Sequence, residues 1–175
     1  MSYHRASRKD LNHYPISVGD LITSLKSQLD DNIDRCIPFG CCGSYGTPFK
    51  LTCSIYGYTA VGKGTTTSGL WKEVCREAQV YQILRKTQAS AVPVFLGTID
   101  LAKIYFFHGA GQIRHMIVMG WGGETTAKME LTQGLCREIY KSNKEIKALR
   151  ITDEALRLDN VLWNETERNL GGNNR

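Results

Sequence analysis

The cysteines are the residues of this chain whose spacing in the sequence says most about possible chemistry. The chain has six cysteines, at positions 36, 41, 42, 53, 75 and 136. A structural zinc site needs its ligands in close pairs, such as two cysteines separated by about two to four residues. The cysteines between 36 and 53 do not supply two such pairs, and no histidine follows at ligand spacing. We therefore expect reduced structural thiols and no metal centre at these cysteines.

Two residues of opposite charge, Lys63 and Glu77, stand where a side chain can point inward. Lys63 ends a β-like run and points to the same side as Val61, because side chains alternate along a strand. Glu77 lies on the helical pattern that follows, at the edge of its apolar stripe. A lysine exposed at a strand end and a glutamate facing solvent are the simpler alternatives, and Glu73 competes with Glu77.

The elements that must position these residues follow from hydrophobic periodicity. Apolar residues at helical spacing predict helices over 18–29, 70–86 and 133–149, the first and last capped by Ser17 and Thr132. Runs of β-branched and aromatic residues predict strands at 49–63, 92–96, 104–107 and 113–119. The segment 37–47, rich in glycine, cysteine, serine and proline, is typical of a loop, and the segment 108–111, with two glycines, is typical of a turn. The order is strands, a long helix, three strands and a second long helix, which indicates an α+β fold.

The order of these elements, with short phrases at their joints, resembles a protein kinase. The phrases are Tyr56-Gly57-Tyr58-Thr59, Ala91-Val92-Pro93-Val94-Phe95-Leu96-Gly97 and Asn160-Val161-Leu162-Trp163-Asn164. Over about residues 49–163 the chain resembles a kinase N-terminal lobe running into its catalytic loop, as in degenerate kinase-like proteins of fungi. The resemblance implies a kinase-like N-lobe, the small antiparallel sheet plus the long helix, with the start of a helical C-lobe, truncated.

The implied domain organisation has three parts. Residues 1–35 would form an N-terminal extension with one helix, residues 36–163 a kinase-like domain fragment, and residues 164–175 a flexible tail.

The resemblance also implies a nucleotide site. Lys63 matches the strand lysine that bridges the nucleotide phosphates, and Glu77 matches the helix glutamate that holds this lysine in place. Val61 matches the small apolar residue that touches the adenine, and Met119 would flank the ring from the last strand of the lobe. Asn160 matches the catalytic-loop asparagine that binds metal. The implied cofactor is ATP with magnesium.

The chain departs from the kinase pattern at the catalytic loop. Asp153 stands at the histidine position and Ala155 at the position of the catalytic aspartate. A methyl group cannot accept the proton of a substrate hydroxyl. Asp153 and Asp159 are poor substitutes, because Asp153 needs a shift of register and Asp159 directly precedes Asn160. An Asp-Phe-Gly segment is missing, and Gly40, Gly43 and Gly46 do not follow the kinase order of glycines.

These departures predict a catalytically impaired, pseudokinase-like protein that retains some ATP binding and acts by protein interaction. Two alternatives stay open: an unusual active ATP-dependent phosphotransferase, and a small basic interaction scaffold without a nucleotide site. The apolar face of the helix at 133–149 would lack the C-lobe that normally covers it. We therefore expect a protein partner or self-association through that face, which carries Leu135, Ile139, Ile146 and Leu149.

Charge and hydropathy limit the remaining function classes. The net charge of +5 comes from scattered lysines and arginines, so nucleic-acid binding is not the favoured interpretation. The sequence has no apolar run of about 18 residues, the length that a membrane span requires. Its first residues lack the apolar core of a secretory signal, so we expect an intracellular protein, cytoplasmic by default.

Overall fold

A computed structural model describes residues 16–38, 47–65, 68–107, 111–126, 129–149 and 161–164. Its α-helices are α1 (Val18–Asp31), α2 (Ser68–Ile83) and α3 (Gln133–Ala148). Its strands are β1 (Cys36–Pro38), β2 (Thr47–Thr52), β3 (Thr59–Thr65), β4 (Phe95–Phe107), β5 (Gly111–Gly120), β6 (Glu124–Thr125) and β7 (Leu162–Trp163). Short 3-10 helices occupy Ile33–Arg35 and Leu84–Lys86.

The described residues divide into two compact units. The first takes the residues up to Gln82 together with Phe95–Trp121, and the second takes Ile83–Val94 and the residues from Gly122 onward. An antiparallel sheet of five strands, in the order β1-β2-β3-β5-β4, forms the first unit with α1 and most of α2. The prediction of an α+β fold with an antiparallel sheet is confirmed. The predicted domain boundaries at 35 and 163 stay predictions.

One face of the sheet packs against α1 and forms the main core. Phe49 and Leu51 of β2 lie opposite Gly62 and Ala60 of β3, so these four residues share a face. The largest fully buried side chains of this core are Leu25, Leu29, Phe49, Leu51, Ile99, Leu101, Ile113, Met116 and Val118. In β2 and β4, buried apolar residues alternate with half-buried or exposed ones, so the side chains that face α1 are apolar.

Helix α1 begins where its capping residue predicts. The Ser17 hydroxyl accepts a hydrogen bond from the Asp20 amide at 3.1 Å, which satisfies one of the first unpaired donors of the helix.

Gln28 is a buried polar residue that extends from α1 to the turn after β2. Its amide nitrogen donates to the Thr52 carbonyl at 2.9 Å, and its amide oxygen accepts from the Ser54 amide at 2.8 Å. Helix α1 is therefore bonded to the sheet unit by side-chain hydrogen bonds as well as by apolar packing.

The strand pattern differs from the predicted one at β4. Two separate strands were predicted at 92–96 and 104–107, whereas one strand runs over Phe95–Phe107. The intervening stretch is a strand because buried Ile99 and Leu101 alternate with exposed Thr98 and Asp100. The pairing of β4 with β5 shifts in register at two places, between Phe95 and Gly97 and between Asp100 and Tyr105. These irregularities interrupt the alternation of side chains along β4. The periodicity of the sequence therefore predicts two short strands instead of one long strand.

Gly62 and Gly64, on either side of Lys63, are glycines because the core face of β3 is crowded. A Cβ atom at Gly62 would lie 2.8 Å from the Leu51 Cδ1 atom. A Cβ atom at Gly64 would lie 3.0 Å from Ile113 and 3.1 Å from Phe49. Because both glycines lack a Cβ atom, they leave room for the large side chains of neighbouring strands. The glycines at 40, 43 and 46, and the turn residues 108–110, lie outside the described residues.

The second unit contains α3 and the short pair β6–β7. The Thr132 hydroxyl accepts a hydrogen bond from the Leu135 amide at 3.2 Å, so the predicted cap of α3 is confirmed. Glu124 pairs with Trp163, and Thr125 pairs with Leu162.

Candidate functional site

The second face of the large sheet carries the predicted site residues of the first unit. Val61 lies opposite Met119, and Lys63 lies opposite Ile117, in the antiparallel pairing of β3 with β5. Because directly opposed residues share a face, these four side chains lie on the face away from the main core. Val61, Ile117 and Met119 form a buried apolar cluster there.

Lys63 forms an ion pair with Glu77. The Lys63 Nζ atom lies 2.7 Å from the Glu77 Oε2 atom, which joins β3 to α2. The two side chains are 30% and 29% exposed, so the pair is neither fully hydrated nor fully buried. Partial desolvation strengthens the attraction relative to a surface pair and leaves part of the ammonium open to solvent. The pair can therefore hold the ammonium in one place while leaving it accessible.

Aromatic side chains surround the buried cluster beside the ion pair. Tyr81 follows Glu77 by one helical turn, and its ring stacks on Phe95 with centroids 5.7 Å apart and planes inclined by 16°. Both rings pack on the cluster of Val61, Ile117 and Met119. Burial raises the pKa of the Tyr81 hydroxyl above its usual range, and the negative charge of Glu77 raises it further. Tyr81 is accordingly a neutral phenol at physiological pH.

Two further contacts on this face were not predicted. The Lys50 ammonium lies 4.4 Å from the centroid of the Trp121 ring, within the range of a cation–π interaction. The Asp100 carboxylate lies 2.5 Å from the His115 Nδ1 atom, across the β4–β5 pairing. For both contacts the sequence shows only residue types that can interact. The strand register that brings each pair together is not readable from the sequence.

The structure places four of the predicted site residues together. Val61, Lys63, Glu77 and Met119 all lie in the first unit, around the second face of its sheet. The side chain of the competing Glu73 lies outside the described part of the chain. The same holds for the predicted catalytic-loop residues, Asp153, Ala155, Asp159 and Asn160. The assignment of roles to these residues stays a prediction.

The described cysteines are free thiols in different surroundings. Cys36 and Cys53 are buried, Cys75 is half-buried and Cys136 is exposed. Burial raises the pKa of the Cys36 thiol to about 12, so this sulfur is neutral and unreactive at physiological pH. Cys41 and Cys42 lie outside the described residues.

A comparison with known proteins finds a relative whose name describes a genetic role. The chain is 40% identical, over 97 residues, to the meiotic driver SPOK2 of the fungus Podospora anserina. The aligned segment is 55% of this chain and 12% of SPOK2, so the chain spans about an eighth of that relative's length. No protein-family model matches the chain.

These findings correct the family inferred from the sequence. The assignment to the protein-kinase-like superfamily was wrong, because the relative found is a meiotic driver and no kinase family model matches. The pseudokinase and phosphotransferase functions that followed from it were wrong for the same reason. The kinase-like N-lobe is not confirmed either. A strand lysine paired with a helix glutamate satisfies partly buried charge in any sheet covered by a helix, so the pair does not identify a family.

None of the described helices combines the length and the apolar composition that a membrane-crossing helix requires.

Proposed function

We propose that this chain takes part in meiotic drive, and that it does so as a protein that binds an anionic ligand at Lys63. The identity of 40% over 97 residues with SPOK2 supports the genetic role. The ion pair between Lys63 and Glu77, at 2.7 Å, supports the binding role. The drive activity belongs to the whole of SPOK2, and the aligned segment would contribute one part of it.

The surroundings of Lys63 suit a ligand with an anionic and an apolar part. An anionic group can pair with the exposed part of the ammonium, while Glu77 keeps the lysine in place. The apolar part can contact the half-buried rings of Tyr81 and Trp121, which pack on the buried Val61 and Met119. Since the apolar cluster is already formed, binding would require little reorganisation of the sheet.

Thermal unfolding with candidate ligands tests the binding role. ATP with magnesium, the cofactor that the kinase resemblance implied, is one probe, and tripolyphosphate with magnesium is the anion with the same number of phosphates and no ring. A ligand at about 100 times its Kd adds about 2.7 kcal/mol to the free energy of unfolding, which raises the Tm by several degrees. Lys63→Ala should abolish the shift. Lys86→Ala, which removes an exposed cation of the second unit, should retain it.

The outcomes separate the parts of this proposal. A shift with ATP alone indicates that the ligand needs an apolar part as well as its anionic groups. A shift with both probes indicates that the charge at Lys63 dominates. If neither probe gives a shift that depends on Lys63, anion binding at this site is rejected.

A genetic cross tests the role in meiotic drive. The segment of SPOK2 that aligns with this chain is replaced by the matching segment of the chain, and transmission of the chimeric gene is scored in heterozygous crosses. Transmission above one half supports a shared role. As the control, the segment is replaced by an unrelated folded domain of similar length, which should restore equal transmission. Equal transmission of the chimera, with normal protein levels, would contradict the proposal.

Association through α3 is a separate proposal about partners. Leu135 is buried, and Ile139, Ile146 and Leu149 are half-buried, so part of the predicted apolar face is accessible. Self-association through this face would appear in light scattering as a mass above that of one chain, 19.6 kDa. Ile139→Asp should then return the mass to that of one chain.

A further inference from the structure

Helix α3 presents a row of cations to solvent. Arg137, Lys141, Lys144 and Lys147 are all exposed and follow one another at intervals of four, three and three residues. Residues at these intervals lie on one face of a helix. We call these four residues the basic stripe of α3. The scattered charge of the sequence thus becomes a continuous basic surface once the helix forms.

The two carboxylates of α3 lie beside the basic stripe, because Glu138 precedes Lys141 by three residues and Glu145 follows it by four, but they are less exposed than the cations. Glu138 and Glu145 are both half-buried, and the Glu145 carboxylate accepts a hydrogen bond from the Ser90 hydroxyl. In the described part of the chain, none of the ion pairs involves a cation of the basic stripe. The positive potential of the stripe is therefore not cancelled by a paired carboxylate among these residues.

An aromatic ring lies within the basic stripe. Tyr140 is 71% exposed, although its side chain is large and mostly apolar. It precedes Lys141 and lies three residues after Arg137, so its ring emerges on the same face as the cations. The opposite face of the helix contains buried Leu135. The stripe and Tyr140 together form the solvent side of α3.

We propose that the basic stripe of α3 and Tyr140 bind single-stranded nucleic acid. The cations are spaced by about 4.5–6 Å along the helix axis, which allows successive phosphates of a flexible strand to pair with them. Tyr140 provides a flat ring on which an unpaired base can stack. An acidic protein segment would neutralise the cations but would have no base to place on the ring. The combination of cations with an exposed ring therefore favours a nucleic acid.

Fluorescence anisotropy with the full chain tests the proposal. The probes are a labelled single-stranded oligonucleotide of about 20 nucleotides, the same sequence as a duplex, and a labelled polyglutamate peptide of similar charge. Four phosphate contacts predict that single-strand affinity falls about 50-fold between about 50 mM and about 200 mM salt. Replacing Arg137, Lys141, Lys144 and Lys147 with Gln should remove most of this salt dependence and weaken binding by about tenfold or more.

A control set separates the stripe from net charge. Replacing Arg35, Lys86, Lys103 and Arg114 with Gln removes the same number of exposed cations from elsewhere in the chain. This control should leave the affinity within about twofold. Tyr140→Ala should weaken single-strand binding by about tenfold, whereas Tyr140→Phe should retain it, because the ring and not the hydroxyl stacks. Circular dichroism checks that each variant keeps its helices.

Several results would overturn the proposal. Absence of oligonucleotide binding at about 50 mM salt would do so. An equal loss in the control set would show that net charge alone attracts the strand. Polyglutamate binding as tightly as the oligonucleotide would identify an acidic protein segment as the partner. Equal affinity for the duplex, with no effect of Tyr140→Ala, would reject the single-stranded form.

Discussion

The Lys63 Nζ atom lies 2.7 Å from the Glu77 Oε2 atom and joins strand β3 to helix α2. A double-mutant cycle with Lys63→Ala and Glu77→Ala should give a coupling energy of about 0.5–1 kcal/mol, measured by urea unfolding. The value should exceed that of a surface pair because both side chains are about one-third exposed. The control is the i,i+4 pair of Lys26 and Asp30, which is similarly exposed but lies within α1, and its coupling should be about 0.3–0.5 kcal/mol. A coupling at Lys63 no larger than this control would mean that the pair does not hold α2 on the sheet.

Gln28 connects α1 to the turn after β2 through two hydrogen bonds of its amide group. Gln28→Ala should lower the free energy of unfolding by about 2–3 kcal/mol, because the Thr52 carbonyl and the Ser54 amide both lose their partner. Gln79→Ala, at an exposed position of α2, should change it by less than about 0.5 kcal/mol. Chemical unfolding measures both. Equal effects of the two substitutions would show that water replaces the Gln28 amide without cost.

Substitution of alanine for glycine should change the free energy of unfolding in opposite directions at Gly62 and at Gly19. Gly62→Ala should lower the free energy of unfolding by about 1–3 kcal/mol, because its Cβ atom would lie 2.8 Å from Leu51 Cδ1 and 3.3 Å from the Met116 sulfur. Gly19→Ala should raise it by about 0.5–1 kcal/mol, since only the Ser17 hydroxyl lies near, at 3.8 Å, and alanine favours the helix. Thermal unfolding gives the sign of each change. A stabilising Gly62→Ala would contradict the crowding of this face.

The buried thiol of Cys36 predicts a dependence of stability on alkaline pH. Burial raises its pKa from 9.0 to about 12, so the unfolded chain loses this proton at a lower pH than the folded chain. The stabilisation is fully present below pH 9 and is lost as the pH rises towards 12. The free energy of unfolding should therefore fall above pH 9 with a contribution of up to about 1.4 kcal/mol per pH unit from this group.

Two measurements check this prediction for Cys36. Cys36→Ala should make the alkaline slope of the unfolding free energy shallower. Iodoacetamide at pH 8 should alkylate Cys136 quickly and Cys36 only when the chain unfolds. Equal alkylation rates of the two thiols in the folded chain would show that Cys36 is accessible.

Local features of the chain were predictable because their causes are local. The apolar spacing in α1 and α3, with Ser17 and Thr132 as caps, depends on residues within a few positions of one another. The α+β class followed in the same way, from the alternation of helical and β-like patterns. The kinase assignment failed because it took the order of such common elements as a family signature.

The sequence by itself determined where α1 and α3 form, and which residues, Lys63 and Glu77 among them, were candidates for a site. Only the tertiary structure decided that Lys63 reaches Glu77, that Val61 faces Met119 and that β4 is one continuous strand. These outcomes depend on strand register and on packing between residues far apart in the chain. A shift of one residue in the pairing of β3 with β5 would move Lys63 to the core face, and no local pattern encodes that choice.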